Sequence, residues 1–268
     1  MDNIREELLK ARQSHSDKVL PYKCGKCHDT GYIIVRENGH NVAKACDCGF
    51  LKDKEMERQM RYADIPEAFR DMRLETFRTR IYDNQDAIKE TQQRIRYWMQ
   101  NREQMIADGT GLYLVSDAKG SGKTRMAASI ANELMHENGY PVKFATSIQI
   151  INEIKATWNE EGLSESQLLN QLTRIKVLVL DDFGTETVKD WIAERVYHIV
   201  NERYVNKLPT IYTSNKTYSQ LAYDDRITNR IMERSIEVPF PEESIRKRIA
   251  EEREKEMLKK IGGETSVK

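Results

Sequence analysis

The 268-residue sequence has no long apolar run: stretches such as Val177 to Leu180 are far too short to cross a bilayer, so no membrane association is expected. Neither sign of charge is in excess, with 43 Lys and Arg against 43 Asp and Glu. Any contact with nucleic acid must then come from a local patch rather than from global attraction. The first ten residues carry acids and no continuous apolar stretch, so they do not read as a secretory signal, and a cytoplasmic location is expected. Cysteine is scarce, and all four lie between Cys24 and Cys48. In a reducing setting such a cluster points to metal ligation before disulfides. There is no internal repeat. The length suits one α/β nucleotide-binding domain plus a smaller appendage.

The pattern along the chain predicts three parts: residues 1–62, 63–255 and 256–268. In the first, Ile4, Leu8 and Ala11 share a face of a short helix over 2–13, with Asp2 as N-cap. Tyr32 to Val35 and the Asn38-Gly39 turn predict a small hairpin hung on the cysteines. A connecting helix follows from Phe50 to Tyr62 and ends before Ile65-Pro66. In the second part, Asp83 and Asp86 are candidate caps of one long helix carrying Ile88, Ile95, Met99 and Ile106, which stops at Asp108-Gly109. Apolar runs then alternate with helical periodicity: Leu112 to Val115, Val142 to Ala145, Val177 to Leu180, Thr210 to Thr213 and Ile236 to Val238. That alternation predicts a mostly parallel sheet covered by helices on both faces. Ser164 with Gln167, and Thr217 with Gln220, fit capping boxes. Glu242 to Lys260 reads as a charged helix, and 262–268 as disordered.

Gly120-Ser121-Gly122-Lys123-Thr124 follows a predicted strand and opens a predicted helix, the context that gives a phosphate-binding loop its meaning. Glycines let successive amides face phosphate oxygens, and the helix N-terminus favours the anion. The loop, Asp117, Ala118, Lys119, Gly120, Ser121, Gly122, Lys123, Thr124 and Arg125, is expected to bind ATP. In it Lys123 reaches the β and γ phosphates and Thr124 binds Mg²⁺. The usual pattern has glycine where this chain has Asp117, which either repels phosphate or tilts away from it. Val177 to Leu180 ends in Asp181-Asp182, so Asp181 is expected in the Mg²⁺ shell and Asp182 is expected to polarise the attacking water. Asn215, at the tip of the following strand, lies near the γ-phosphate or serves as a turn. Arg226 and Arg230 are four apart on a helix whose other face carries Ile227 and Ile231. The two guanidinium groups suit phosphate, or are merely solvated.

Cys24-Gly25-Lys26-Cys27 and Cys46-Asp47-Cys48 stand eighteen residues apart, which fits a structural zinc site of four thiolates. The second pair is tighter than the usual spacing, which leaves His28 or His40 open as a substitute ligand, and a disulfide or free thiols as the other states. In Phe144 to Trp158, Thr146, Ser147, Lys155 and Trp158 mix hydrogen bonding, charge and a stacking ring suited to single-stranded DNA. Ile150, Ile151, Ile154 and Trp158 also form an ordinary buried stripe, and the core role is the one favoured for Trp158.

Taken together, Cys24 to Tyr32, Cys46-Asp47-Cys48, Ile65-Pro66 with Phe69, Gly120 to Thr124, Leu180 to Gly184 and Thr213-Ser214-Asn215 resemble the replicative helicase loaders of the DnaC/DnaI type among the AAA+ ATPases. The resemblance covers roughly Tyr22 to Ala250 and departs from the family pattern at Asp117. It implies an AAA+ fold with a five-stranded sheet behind a small zinc module, slow ATP hydrolysis stimulated by assembly or DNA, and the sensor 1 role for Asn215. It further implies that Arg230 is an arginine finger offered to a neighbouring subunit and that Arg246 is sensor 2. The implied partners are a hexameric replicative helicase, bound by the N-terminal part, single-stranded DNA, and further copies of the chain. The core also resembles transposition-helper ATPases of the IstB type, which normally lack the cysteine module. A nucleotide switch that barely hydrolyses ATP is the remaining alternative.

Overall fold

A computed structural model describes residues 22–158 and 164–264. The helix expected over 2–13 lies outside them, as do 265–268. The chain divides into two compact units, one up to Glu57 and one from Arg58.

In the first unit, β1 (Tyr32–Glu37) and β2 (His40–Ala45) pair antiparallel with Glu37 opposite His40. Asn38 (φ 50°) and Gly39 (φ 83°) turn between them, the positive dihedrals that a tight two-residue hairpin turn requires. Among its described residues before α1 only Cys27, Gly31 and Cys46 are buried, so the cysteines take the place of an apolar core. Helix α1 (Phe50–Ala63) follows.

The second unit contains α2 (Gln85–Gln100), α3 (Arg102–Asp108), β3 (Gly111–Val115), α4 (Lys123–Asn138), β4 (Val142–Thr146), α5 (Ser147–Thr157), α6 (Glu165–Arg174), β5 (Val177–Asp181), α7 (Asp190–Val205), β6 (Thr210–Ser214), α8 (Asp225–Glu233), β7 (Ser235–Pro239) and α9 (Arg246–Glu264). The strands form one parallel sheet in the order β4-β5-β6-β3-β7. All five predicted strands are present, each extended by one or two residues. Every residue of β3, β5 and β6 is buried, as expected of central strands covered on both faces. Register sets Thr146 beside Asp181 and Val115 beside Ser214, so the loops after β3, β5 and β6 leave one edge side by side. Beneath the opposite edge, fully buried Arg203 donates to Thr210 Oγ1 and to the carbonyls of Leu172, Ile175 and Pro209 at 2.6–2.9 Å.

Several local expectations need correction. The long helix is two: Asn84, not Asp83 or Asp86, caps α2 by accepting from the Ala87 amide, and the chain breaks at Asn101 before α3. Gly109 does end the pair, in the left-handed region. Both predicted capping boxes exist, but the one at Thr217 closes only a 3-10 turn, Tyr218–Gln220. The C-terminal helix runs through Gly262 to Glu264, beyond the expected onset of disorder at 262. Trp158 is not core. Helix α5 ends at Thr157, and Trp158 turns out to 53 % exposure, its ring edge-on to Trp191 at 4.9 Å.

Candidate functional site

The glycines of the loop between β3 and α4 are needed for geometry. Gly120 and Gly122 take φ of 79° and 99°, where a side chain is strained. A Cβ on Gly122 would stand 2.5 Å from the Tyr82 hydroxyl, and one on Gly120 would stand 2.9 Å from the Arg246 stem. Asp117 is not among the residues with positive φ, so its Cβ is tolerated. Its side chain is exposed, and neither Asp117 nor Ala118 lines the cleft. Lys119 to Arg125 do, together with Phe69, Asp182, Thr185, Asn215, Ile245, Arg246 and Ile249, around about 490 Å³.

Lys123 is 5 % exposed. Its ammonium donates to the carbonyls of Ser116 (2.9 Å) and Ala118 (3.1 Å) and to Ser121 Oγ (3.1 Å). Burial pushes its pKa down to about 8, against the opposing pull of Glu242, Asp182, Asp181 and Asp117. Asp181 ends β5 almost fully buried, and that burial raises its pKa although hydrogen bonds from Thr213 and Thr124 favour the carboxylate. Thr213 Oγ1 donates to Asp181 Oδ1 at 2.6 Å and accepts the Asp182 amide at 3.0 Å. Asp182 itself adopts φ 53°, a left-handed turn of the kind that stores strain at functional sites. Phe183, wedged between Tyr212 and Tyr223 with rings 5.2 and 5.3 Å away, anchors the turn. The Glu186 carboxylate secures it by accepting the Gly184 amide and the Tyr223 hydroxyl.

The segment before α2 closes the other side. Asn132 donates to the carbonyls of Phe69 and Met72 (both 2.9 Å), Arg125 to that of Thr76 (2.6 Å), and the Tyr82 hydroxyl to that of Ser121 (2.7 Å). Lys123, Thr124, Asp182, Asn215 and Arg246 thus converge, with Asp181 held just behind them.

Other predicted residues do not reach the cleft. Arg230 lies half-buried on α8, its guanidinium over Tyr197 and Tyr204 (5.1 and 5.7 Å to the ring centres) and donating to the Arg226 carbonyl. Arg226 is paired with Asp224 at 2.7 Å. Of the three residues expected at DNA, Thr146 is committed to capping α5 through a box with Gln149, and Ser147 is buried, at 6 % exposure. Only Lys155 faces outward, 5.8 Å from the Trp191 ring. Sequence reasoning missed the Thr213 relay, the Tyr82 contact and Glu242, which holds the amides of Asp117 and Ala118. Only Thr213 carried a local signal, one position before Ser214-Asn215.

In the N-terminal unit all four cysteine sulfurs lie within 4.8 Å of one another, with Cys24 and Cys46 3.8 Å apart and Cys27 and Cys48 3.6 Å apart. A tetrahedral zinc at about 2.3 Å from each thiolate sets the sulfurs about 3.8 Å apart, whereas a disulfide requires about 2.05 Å. The donors therefore fit zinc. Neither His28 nor His40 belongs to the cluster, and His28 stacks on Tyr22 at 4.7 Å. The amides of Cys27 and Lys26 pull the Cys24 thiol down to about 7, while, against backbone hydrogen bonds at Cys48 and Phe50, desolvation and the neighbouring thiols push Cys46 up to about 12 and raise Cys48.

A phosphate loop, a strand ending in paired acids and a polar strand tip, gathered at one edge of this sheet, define a P-loop ATP-binding protein of the AAA+ type. Residues 49–253 match the family described as IstB-like ATP binding protein, and the chain belongs to that family. It is 29 % identical over 235 residues to the phage-like element PBSX protein XkdC of Bacillus subtilis, covering 85 % of each chain. With the replicative helicase loader DnaC of Escherichia coli it shares 31 % identity over 140 residues, 51 % of this chain and 57 % of the loader. The crystal structure of DnaI superposes with a TM-score of 0.54 at 25 % identity, covering 66 % of this chain and 95 % of that one. The chain thus spans little more than half the length of DnaC.

Proposed function

We propose that the protein is an ATP-dependent helicase loader, which binds a replicative DNA helicase and delivers it to single-stranded DNA. The observation that carries this reading is the convergence of Lys123, Asp182, Asn215 and Arg246 on one cleft in a chain that also holds a four-cysteine module. A bound Mg²⁺ supplies charge neutralisation at the γ-phosphate. Thr124 and Asp181 would hold that ion, Lys123 would bind the phosphates, Asp182 would orient and polarise the attacking water, and Asn215 and Arg246, which line the same cleft, would stabilise the charge on the γ-phosphate. Arg230, outside its own cleft, completes that of a neighbouring copy, so hydrolysis is slow in the monomer and rises on assembly. The zinc module, in residues 1–62, docks the helicase, while 63–255 form the ATPase, and Lys155 contributes to the DNA surface. Function in the cytoplasm follows from this role.

Co-purification of the full chain with the replicative helicase, with and without ATP, tests the proposal; failure to bind in both conditions refutes it. The family match keeps transposition-helper activity of the IstB type as the second reading. The cysteine cluster weighs against it, and absence of zinc from the purified protein reverses that weight. Equal single-turnover rates for wild type and Asp182→Asn favour a nucleotide switch instead.

A further inference from the structure

The first limb of the phosphate loop, Ser116 to Ala118, is gripped from two sides. Its carbonyls at Ser116 and Ala118 accept from Lys123 at 2.9 and 3.1 Å. Its amides at Asp117 and Ala118 donate to the Glu242 carboxylate, at 3.2 Å to Oε1 and 2.9 Å to Oε2, and the Ser116 hydroxyl lies 3.1 Å from Oε2. Glu242 comes from 125 residues further along the chain, in the turn between β7 and α9. That turn fastens itself to both flanks of the cleft. Glu243 accepts the amides of Asp83 and Asn84 at 2.9–3.1 Å, the Ile245 amide donates to the Gly120 carbonyl at 3.1 Å, and the Arg246 stem packs against Gly120.

The two grips differ in permanence. Lys123 is the phosphate-binding cation in the reading proposed above, on which this inference rests, and it turns from the limb when phosphate arrives. The carboxylate has no such second task, because Asp117 and Ala118 do not line the cleft. We propose that Glu242 is a positioning residue of the nucleotide site: it holds the Asp117 and Ala118 amides so that the limb keeps its course while Lys123 exchanges the Ser116 and Ala118 carbonyls for phosphate oxygens. The same contact secures a loop that begins with aspartate where related loops carry glycine.

Glu242→Gln in the full chain is the test. It preserves size, removes the charge, and turns an amide donor toward a backbone N–H. In the nucleotide-free protein Lys123 still holds the limb, so the melting temperature stays close to wild type. With nucleotide the limb loses both grips at Asp117 and Ala118, keeping the weaker bonds of the Ser116 amide to the Ser214 carbonyl (3.3 Å) and of the Ala118 amide to the Ser116 hydroxyl (3.2 Å): the KM for ATP rises roughly tenfold, the loss of one charge-assisted hydrogen bond, kcat changes less than about threefold, and the ATP-induced rise in melting temperature shrinks accordingly. Glu242→Asp, which keeps the charge, recovers part of the affinity. An unchanged KM overturns the proposal. So does a fall in nucleotide-free stability with the ATP-induced rise intact, which marks a purely structural contact. ATP binding that is absent in the wild type, or that survives Lys123→Ala, overturns the nucleotide site itself, whereas normal wild-type binding beside an indifferent Glu242→Gln overturns Glu242 alone.

Discussion

Thr213 Oγ1 stands 2.6 Å from Asp181 Oδ1, and both groups are buried. One hydroxyl therefore orients the carboxylate at the end of β5 and, by accepting the Asp182 amide, sets the left-handed turn that carries the next carboxylate. Thr213→Val keeps the volume and removes both bonds. The expected cost is about 1–3 kcal/mol of stability and at least tenfold in ATP turnover, with ATP affinity less affected. Unfolding curves and steady-state kinetics check this.

Lys123 gives a pH signature. Its folded pKa of about 8 lies below the usual lysine value, so folding with the ammonium charged is opposed below about 8, and stability rises with pH between the folded and unfolded values. Phosphate restores the charge. Nucleotide binding should then take up protons above pH 8 and almost none at pH 7, measured by calorimetry in buffers of different ionisation enthalpy.

Purified protein should contain about one zinc per chain by elemental analysis. Cys24→Ser or a strong chelator should unfold the N-terminal unit and abolish helicase binding while leaving ATP binding intact. Loss of ATP binding on chelation contradicts separate modules.

On α8, two arginines four residues apart have different surroundings. Both lie over Tyr197, but Arg226 is neutralised by Asp224, whereas Arg230 has no carboxylate partner among the described residues and donates to the Arg226 carbonyl. Arg230→Ala is expected to lower DNA-stimulated hydrolysis by a hundredfold or so, toward the range of a lost arginine finger, without changing ATP affinity. Arg226→Ala is expected to have a small effect. The reverse order in a turnover assay rejects the finger assignment.

Arg203 tests the fold away from the site. Arg203→Met takes the donor from the carbonyls of Leu172 and Ile175, while that of Pro209 keeps the Leu178 amide at 3.4 Å; the two lost partners cost about 1–3 kcal/mol each. A loss of ~3 kcal/mol lowers Tm by roughly 6–12 °C.

What was legible in the sequence was what repeats locally. The run Gly120 to Thr124 and the strand leading to Asp181-Asp182 are contiguous signals, and burial on both faces makes β3 and the first four residues of β5 continuously apolar. The cysteine spacing was legible for the same reason. Other features depend on chain brought from a distance. Nothing near Asp117 announces Glu242, and nothing near Gly122 announces Tyr82. Helical periodicity also overreached by a single residue at Trp158. It counts 100° per residue without knowing that α5 stops at Thr157, so a ring fitted to the buried stripe of Ile150 and Ile154 emerges at the surface. The same arithmetic cannot see the break at Asn101.

The resting position of Lys123 makes nucleotide capture an exchange of coordination partners. Three protein oxygens must leave the shell of the ammonium before phosphate oxygens enter it, so the heat released on binding is a difference between two sets of hydrogen bonds. An affinity summed from phosphate contacts alone therefore overstates the true one by the cost of releasing the Ser116 and Ala118 carbonyls and the Ser121 hydroxyl.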